Sequence, residues 1–143
     1  MASKATAVWT GSLKEGKGVI STATGVLNNA NYSFATRFEG AETGTTPEEL
    51  IAAAHAGCYS MALGAILGGS GLTPEKIETS AAVTLAKVGD GFQITRIQLT
   101  TVASVPGATK EVFETAANAA KAGCPISKLF ANNTEVSLVA TLA

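Results

Sequence analysis

Cys58 and Cys124 are the only two thiols in a chain of 143 residues, and they stand 66 positions apart. Taken singly, each has a plain structural role. A cysteine on an apolar helix face is a small buried hydrophobe, and one beside a proline at a helix start fills a cap position. Taken together they can divide a redox reaction. One thiolate attacks a peroxide oxygen and becomes a sulfenic acid, and the second thiol condenses with it to a disulfide before further oxidation. Such chemistry needs a group to hold the first sulfur as thiolate. Arg37 suits that task, being always charged and presenting a fork of donors. Glu48 is suited to hold the arginine. By themselves, Arg37 also reads as a solvated strand residue and Glu48 as a first-turn acid complementing the helix dipole. Cys124 sits before Pro125, where helix N–H groups and the dipole favour a thiolate.

Composition removes several other classes of function. There are 10 basic and 11 acidic residues, a formal charge of −1, and no basic stripe, so a nucleic-acid partner is not expected. One histidine, His55, and no C-x-x-C give no zinc spacing. The hydrophobic share of 46% excludes disorder as the main state. Charged residues make up only 15%, against roughly 25% in average domains, which implies that a partner covers part of the surface. The N-terminal residues lack the apolar core of a signal peptide, so a reducing cytoplasm is the expected setting. Residues 51–69 carry no Asp, Glu, Lys or Arg. Their many alanines and glycines, with no basic anchors, read as a buried helix rather than a membrane span.

The elements that must position these side chains follow from the patterning. Residues 5–13 and 19–24 read as strands, separated by the turn Gly16-Lys17-Gly18. Residues 26–38 read as a hairpin broken at Asn28-Asn29-Ala30-Asn31. Its second arm places Tyr32, Phe34, Thr36 and Phe38 on one face and Arg37 on the other. Thr46-Pro47-Glu48-Glu49 has an N-cap, a proline at the first helical position and a glutamate three residues after the cap. The helix it opens runs over 47–67, with Leu50, Ala54, Cys58, Met61 and Ala65 on one face. Residues 77–88 and 92–105 form a hairpin about Gly89-Asp90-Gly91. Residues 109–122 form a helix with an apolar stripe of Val112, Phe113, Ala116, Ala119 and Ala120. A short helix spans 125–130 and a last strand 134–142. The order is that of a single α+β domain, residues 1–143.

Three motifs add a resemblance. They are Arg37-Phe38-Glu39-Gly40, the run Gly44-Thr45-Thr46-Pro47-Glu48-Glu49-Leu50 through Ala56-Gly57-Cys58-Tyr59-Ser60-Met61, and Ala122-Gly123-Cys124-Pro125-Ile126. In these the chain resembles the OsmC (osmotically inducible protein C) family of the OsmC/Ohr thiol peroxidases, over residues 5–142. The resemblance implies an α+β fold of antiparallel sheets around a buried central helix, in an intertwined homodimer with its sites at the interface. It implies that Cys58 attacks the peroxide, that Cys124 resolves the product as an intrasubunit disulfide, and that Arg37 and Glu48 are the polar pair beside Cys58.

On this basis the expected activity is reduction of organic hydroperoxides, and more weakly of hydrogen peroxide, in oxidative or osmotic stress defence. A fall of the Cys58 pKa from about 8.5 to about 6 raises its thiolate fraction at pH 7 from a few per cent to about nine-tenths. An external dithiol regenerates the protein. No cofactor or metal is required. Phe34, Phe38, Ile51 and Met61 are the apolar candidates to line the approach, though such residues are ordinarily plain core. His55 is expected to pack or bond locally. The alternative of another class is a non-catalytic dimeric binding protein whose two cysteines are buried and inert.

Overall fold

A computed structural model describes all 143 residues. The chain divides into two compact units, Met1–Leu50 and Ile51–Ala143. The first holds a three-stranded antiparallel sheet in the order β1-β2-β3, with β1 at Ala5–Thr10, β2 at Lys17–Thr22 and β3 at Ala30–Tyr32. Gly18 on β2 pairs with both Trp9 and Tyr32. A Cβ there would run into both rings, so only glycine lets the two aromatics close over the strand at 5.5 Å.

Between Thr22 and Ala30 the chain turns over residues 23–29, with Asn29 in the left-handed region at φ 51°. The asparagine turn thus lies earlier than the residue pattern suggests, and Ala30 and Asn31 belong to the strand. The second hairpin arm is a larger departure, since α1, Phe34–Phe38, is helical. Ser33 caps it: its hydroxyl accepts from the Thr36 N–H at 3.1 Å, while the Thr36 hydroxyl accepts from the Ser33 N–H at 2.9 Å. This reciprocal capping box outweighs the alternating pattern that reads as a strand. Arg37 therefore projects from a single helical turn.

The helix α2 spans Pro47–Gly69, and the Thr46 hydroxyl accepts from the Glu49 N–H at 3.0 Å, as an N-cap should. Its length and composition would suit a membrane span. In the second unit, though, one stripe of it packs: His55, Tyr59, Leu63 and Leu67, spaced four apart, are fully buried. This stripe is rotated from Leu50-Ala54-Cys58-Met61-Ala65. Met61 is 79% exposed, while Ala54 and Ala65 are also exposed and Cys58 is half-buried. Tyr59, Leu63 and Leu67 take the inward face, because each buries more apolar area than an alanine, while Met61 stays outside.

The second sheet has the order β4-β5-β6, with β4 at Lys76–Val88, β5 at Gly91–Ser104 and β6 at Glu135–Leu142. β4 and β5 form the expected hairpin, with a shift of register between Thr84 and Leu85. β6 is the exception to antiparallel pairing. It runs parallel to β5, because the chain between them crosses back through α3, Lys110–Gly123, and α4, Pro125–Phe130. Phe113, Ala116, Ala117 and Ala120 form the buried face of α3. Val112 and Ala119 are exposed. These side chains meet Tyr59, Leu63, Leu67, Leu99 and Ala103 in one core, which also contains Cys124.

Candidate active site

In the first unit, Arg37 and Glu48 form a forked ion pair. The guanidinium donates from Nη2 to Oε1 at 2.6 Å and from Nε to Oε1 and Oε2 at 3.1 and 3.3 Å. Glu48 is held in the first turn of α2, where the dipole favours a carboxylate, and its side chain is 11% exposed against 37% for Arg37. The arginine also lies over the Phe38 ring, 5.4 Å from its centroid. It borders a cavity of about 230 Å³, lined chiefly by Trp9, Leu13, Tyr32, Phe34 and Phe38. Two of the four apolar residues expected at the approach, Phe34 and Phe38, are in that lining. The other two, Ile51 and Met61, lie in the second unit. Trp9, Leu13 and Tyr32 are lining residues that the sequence reading missed.

The second unit brings the two cysteines together. The Cys124 thiol donates to the Cys58 sulfur at 2.8 Å, and both are free thiols. Cys58 comes from the middle of α2. Cys124 comes from the joint of α3 and α4, where its N–H bonds the Ala120 carbonyl. A disulfide requires about 2.05 Å between sulfurs, so closure asks for a movement of under about 1 Å. Burial pushes the Cys58 thiol up, and the adjacent Cys124 adds to this, while a hydrogen bond from the Ile126 backbone works in the opposite direction. The depressed pKa expected for Cys58 is thus not what these neighbours produce.

Beside the thiols lies a polar contact that the sequence reading did not find. His55 does not bond locally: its Nε2 is 2.7 Å from the Ser127 hydroxyl, 72 residues away. The imidazole is fully buried and Ser127 is 5% exposed. Nδ1 has no partner. A buried bare acceptor costs less than a buried unpaired N–H, so Nε2–H donates to Ser127 and Nδ1 carries the lone pair. The available signal was symmetric spacing: His55 precedes Cys58 by three residues, and Ser127 follows Cys124 by three. Tyr59, the next core residue, has its phenol pushed up to about 12 by burial and donates to the Ala117 carbonyl at 3.2 Å.

Burial lowers the His55 pKa from its ordinary 6.5. The folded chain therefore binds fewer protons there than the unfolded chain does. Stability from this group is complete above about pH 6.5 and is lost as pH falls toward the lowered folded value. Thermal midpoints should decline between pH 7.5 and 5.5. In His55→Leu that decline should be shallower.

These features carry the comparisons with known proteins. A family model described as OsmC-like protein matches residues 40–139. The chain is 53% identical over 126 residues to Peroxiredoxin OsmC of Escherichia coli, covering 88% of this chain and 87% of that one. A Shigella flexneri protein of the same name matches equally. Among solved structures, the organic hydroperoxide resistance protein OhrB of Bacillus subtilis superposes with a TM-score of 0.72, at 28% identity and with 98% of both chains covered. An OsmC-like protein from Mycoplasma pneumoniae superposes with a TM-score of 0.77 at 14% identity, covering 100% of this chain and 98% of that one, a likeness of fold. The α+β fold is that of the OsmC/Ohr proteins. The chain belongs to the OsmC family.

Proposed function

We propose that this protein is a peroxiredoxin-type hydroperoxide reductase, an oxidoreductase of the oxidative stress response. The observation that carries the reading is the contact of its only two thiols at 2.8 Å. The relatives named as peroxiredoxins and organic hydroperoxide resistance proteins support it.

In this reading Cys58 attacks as thiolate. Its sulfur takes the distal oxygen of ROOH, the O–O bond breaks, and the departing alkoxide takes a proton to leave as alcohol. Cys124 then attacks the sulfenic sulfur. An S–S bond forms, the S–O bond breaks, and the hydroxyl leaves with a proton as water. An external dithiol reduces the disulfide, becoming oxidised itself. No cofactor enters these steps, and the reducing cytoplasm supplies such thiols.

Arg37 is the proposed activator. Burial, with the adjacent Cys124, holds the Cys58 thiol up, so a cation is needed to restore the thiolate. The Glu48 bonds use Nε and Nη2 of Arg37, which leaves Nη1 for sulfur or peroxide. In this reading the whole chain, residues 1–143, is one catalytic domain, with Arg37 and Glu48 as the polar pair that serves Cys58. The apolar cavity beside Arg37 favours an organic hydroperoxide over hydrogen peroxide. The exposed face of Ala54, Met61 and Ala65 on α2 suits a homodimer.

Stopped-flow oxidation of the fully reduced protein, followed by thiol counting, tests the reading. Loss of both thiols is expected, faster with cumene hydroperoxide than with hydrogen peroxide. Thiols that survive both oxidants would move the protein to a binding role.

A further inference from the structure

We propose that the buried His55–Ser127 pair is a positioning strap for the resolving step: it holds α4 on α2 so that Cys124 stays within reach of Cys58. The inference rests on the two-cysteine reading above. His55 lies one turn before Cys58 on α2, and Ser127 one turn after Cys124 in α4. Residues three apart share a helix face. The thiol contact at 2.8 Å and the imidazole–hydroxyl bond at 2.7 Å are therefore two rungs between the same pair of elements.

The second rung has features of a strap rather than of filling. α4 is a single short helix of 6 residues, and its N-cap Cys124 makes no side-chain cap bond. Only backbone bonds hold its start, from the Lys128 N–H to the Cys124 carbonyl and from the Cys124 N–H to the Ala120 carbonyl. Apolar contacts around it resist separation but not sliding, whereas a hydrogen bond fixes both distance and direction. The imidazole is buried with Nδ1 unpartnered, a cost that leucine at the same place would avoid. The bond to Ser127 is what the histidine supplies in return.

The strap matters after the peroxide has reacted. The new oxygen on Cys58 enters the gap between the sulfurs, and Cys124 must give way and then return to attack the sulfenic sulfur. That return forms the S–S bond and releases the hydroxyl, with the thiol proton, as water. Its rate depends on the effective concentration of Cys124, which the fixed first turn of α4 maintains. The attack by Cys58 on peroxide touches α4 only through the Ile126 backbone bond to its sulfur, which does not involve the Ser127 side chain, so it should change far less than closure.

Rapid-quench mixing of the reduced full chain with one equivalent of cumene hydroperoxide separates the two steps. Loss of the Cys58 thiol is followed beside disulfide formation by intact mass, with a cyclic dione to trap sulfenic acid. Ser127→Ala should slow disulfide closure about tenfold, the scale of one buried hydrogen bond. Its Cys58 oxidation should stay within about twofold of the unmodified protein. Dione-trapped Cys58 should accumulate. Ser127→Thr, which keeps the hydroxyl, should restore closure. The double variant His55→Leu/Ser127→Ala leaves no orphaned polar atom at the site, so it keeps the fold while losing the rung, and it should close as slowly as Ser127→Ala. Closure at the unmodified rate in both variants, or equal slowing of both steps, overturns the strap alone. An unmodified protein that forms neither sulfenic acid nor disulfide overturns the two-cysteine reading and the strap with it.

Discussion

Cys58→Ser is expected to abolish peroxide reduction, lowering turnover with cumene hydroperoxide and a dithiol by at least about a thousandfold, as loss of a nucleophile does. The hydroxyl that replaces the thiol is isosteric, so the packing of α2 is kept. It is not a thiolate, and oxygen has no state equivalent to the sulfenic acid that stores the transferred oxygen atom. Cys124 is a poor substitute, since it is fully buried while Cys58 is only half-buried. Cys124→Ser should behave differently. Its Cys58 still attacks peroxide, but the sulfenic acid has no partner at 2.8 Å and advances to the sulfinic acid under excess oxidant. Steady-state peroxide consumption and intact-mass analysis of both variants check the assignment. Undiminished turnover in Cys58→Ser would remove the nucleophile from the proposal. Identical behaviour of the two variants would remove the division of labour between them.

That division was partly legible in the sequence, and the reasons differ from residue to residue. Cys124 was placed at a helix start by Pro125, whose fixed φ suits the first helical position. Glu48 was placed by the cap signal Thr46-Pro47, and its partner Arg37 followed from side-chain chemistry rather than from spacing. The element carrying Arg37 departs from its pattern because five residues of alternating type satisfy a strand, and only the Ser33–Thr36 capping box decides for a helical turn. The inward face of α2 departs from its pattern for another reason. Alanine and glycine surround the helix, so every face is apolar and periodicity has little contrast. Size then decides, and Tyr59, Leu63 and Leu67 turn inward. The contact of His55 with Ser127 spans 72 residues and depends on how α3 returns the chain to α2. Its trace in the sequence is the matching three-residue spacing of His55 from Cys58 and of Ser127 from Cys124, which points to a contact only once the two cysteines are known to meet. The parallel pairing of β6 has the same origin, since it follows from the α3–α4 crossover rather than from anything within residues 135–142.

Phe113→Ala is expected to be the most destabilising single truncation in the second unit, by about 3–5 kcal/mol. Phe113 is fully buried on α3 and is the largest purely apolar side chain in the core that also contains Tyr59, Leu63, Leu67 and Cys124. Its removal forfeits transfer energy and leaves a cavity that the helices and sheet around it cannot fill by rotamer changes alone. Against a total stability of roughly 5–15 kcal/mol, such a loss should lower the thermal midpoint by about 10 °C or more. Val112→Ala, one residue earlier, is the internal control. Val112 belongs to the stripe that the sequence pattern places inward, yet it is 41% exposed. Truncating it removes little buried area, and alanine has the higher helix propensity, so its midpoint should shift by no more than a degree or two. Thermal and urea unfolding of both variants distinguish the two faces of α3. A large loss in Val112→Ala with little in Phe113→Ala would mean that α3 packs by the face that carries Val112 and Ala119. The position of Cys124 at the end of that helix would then have to be rebuilt, because its N–H is tied to Ala120, on the face that Phe113 anchors.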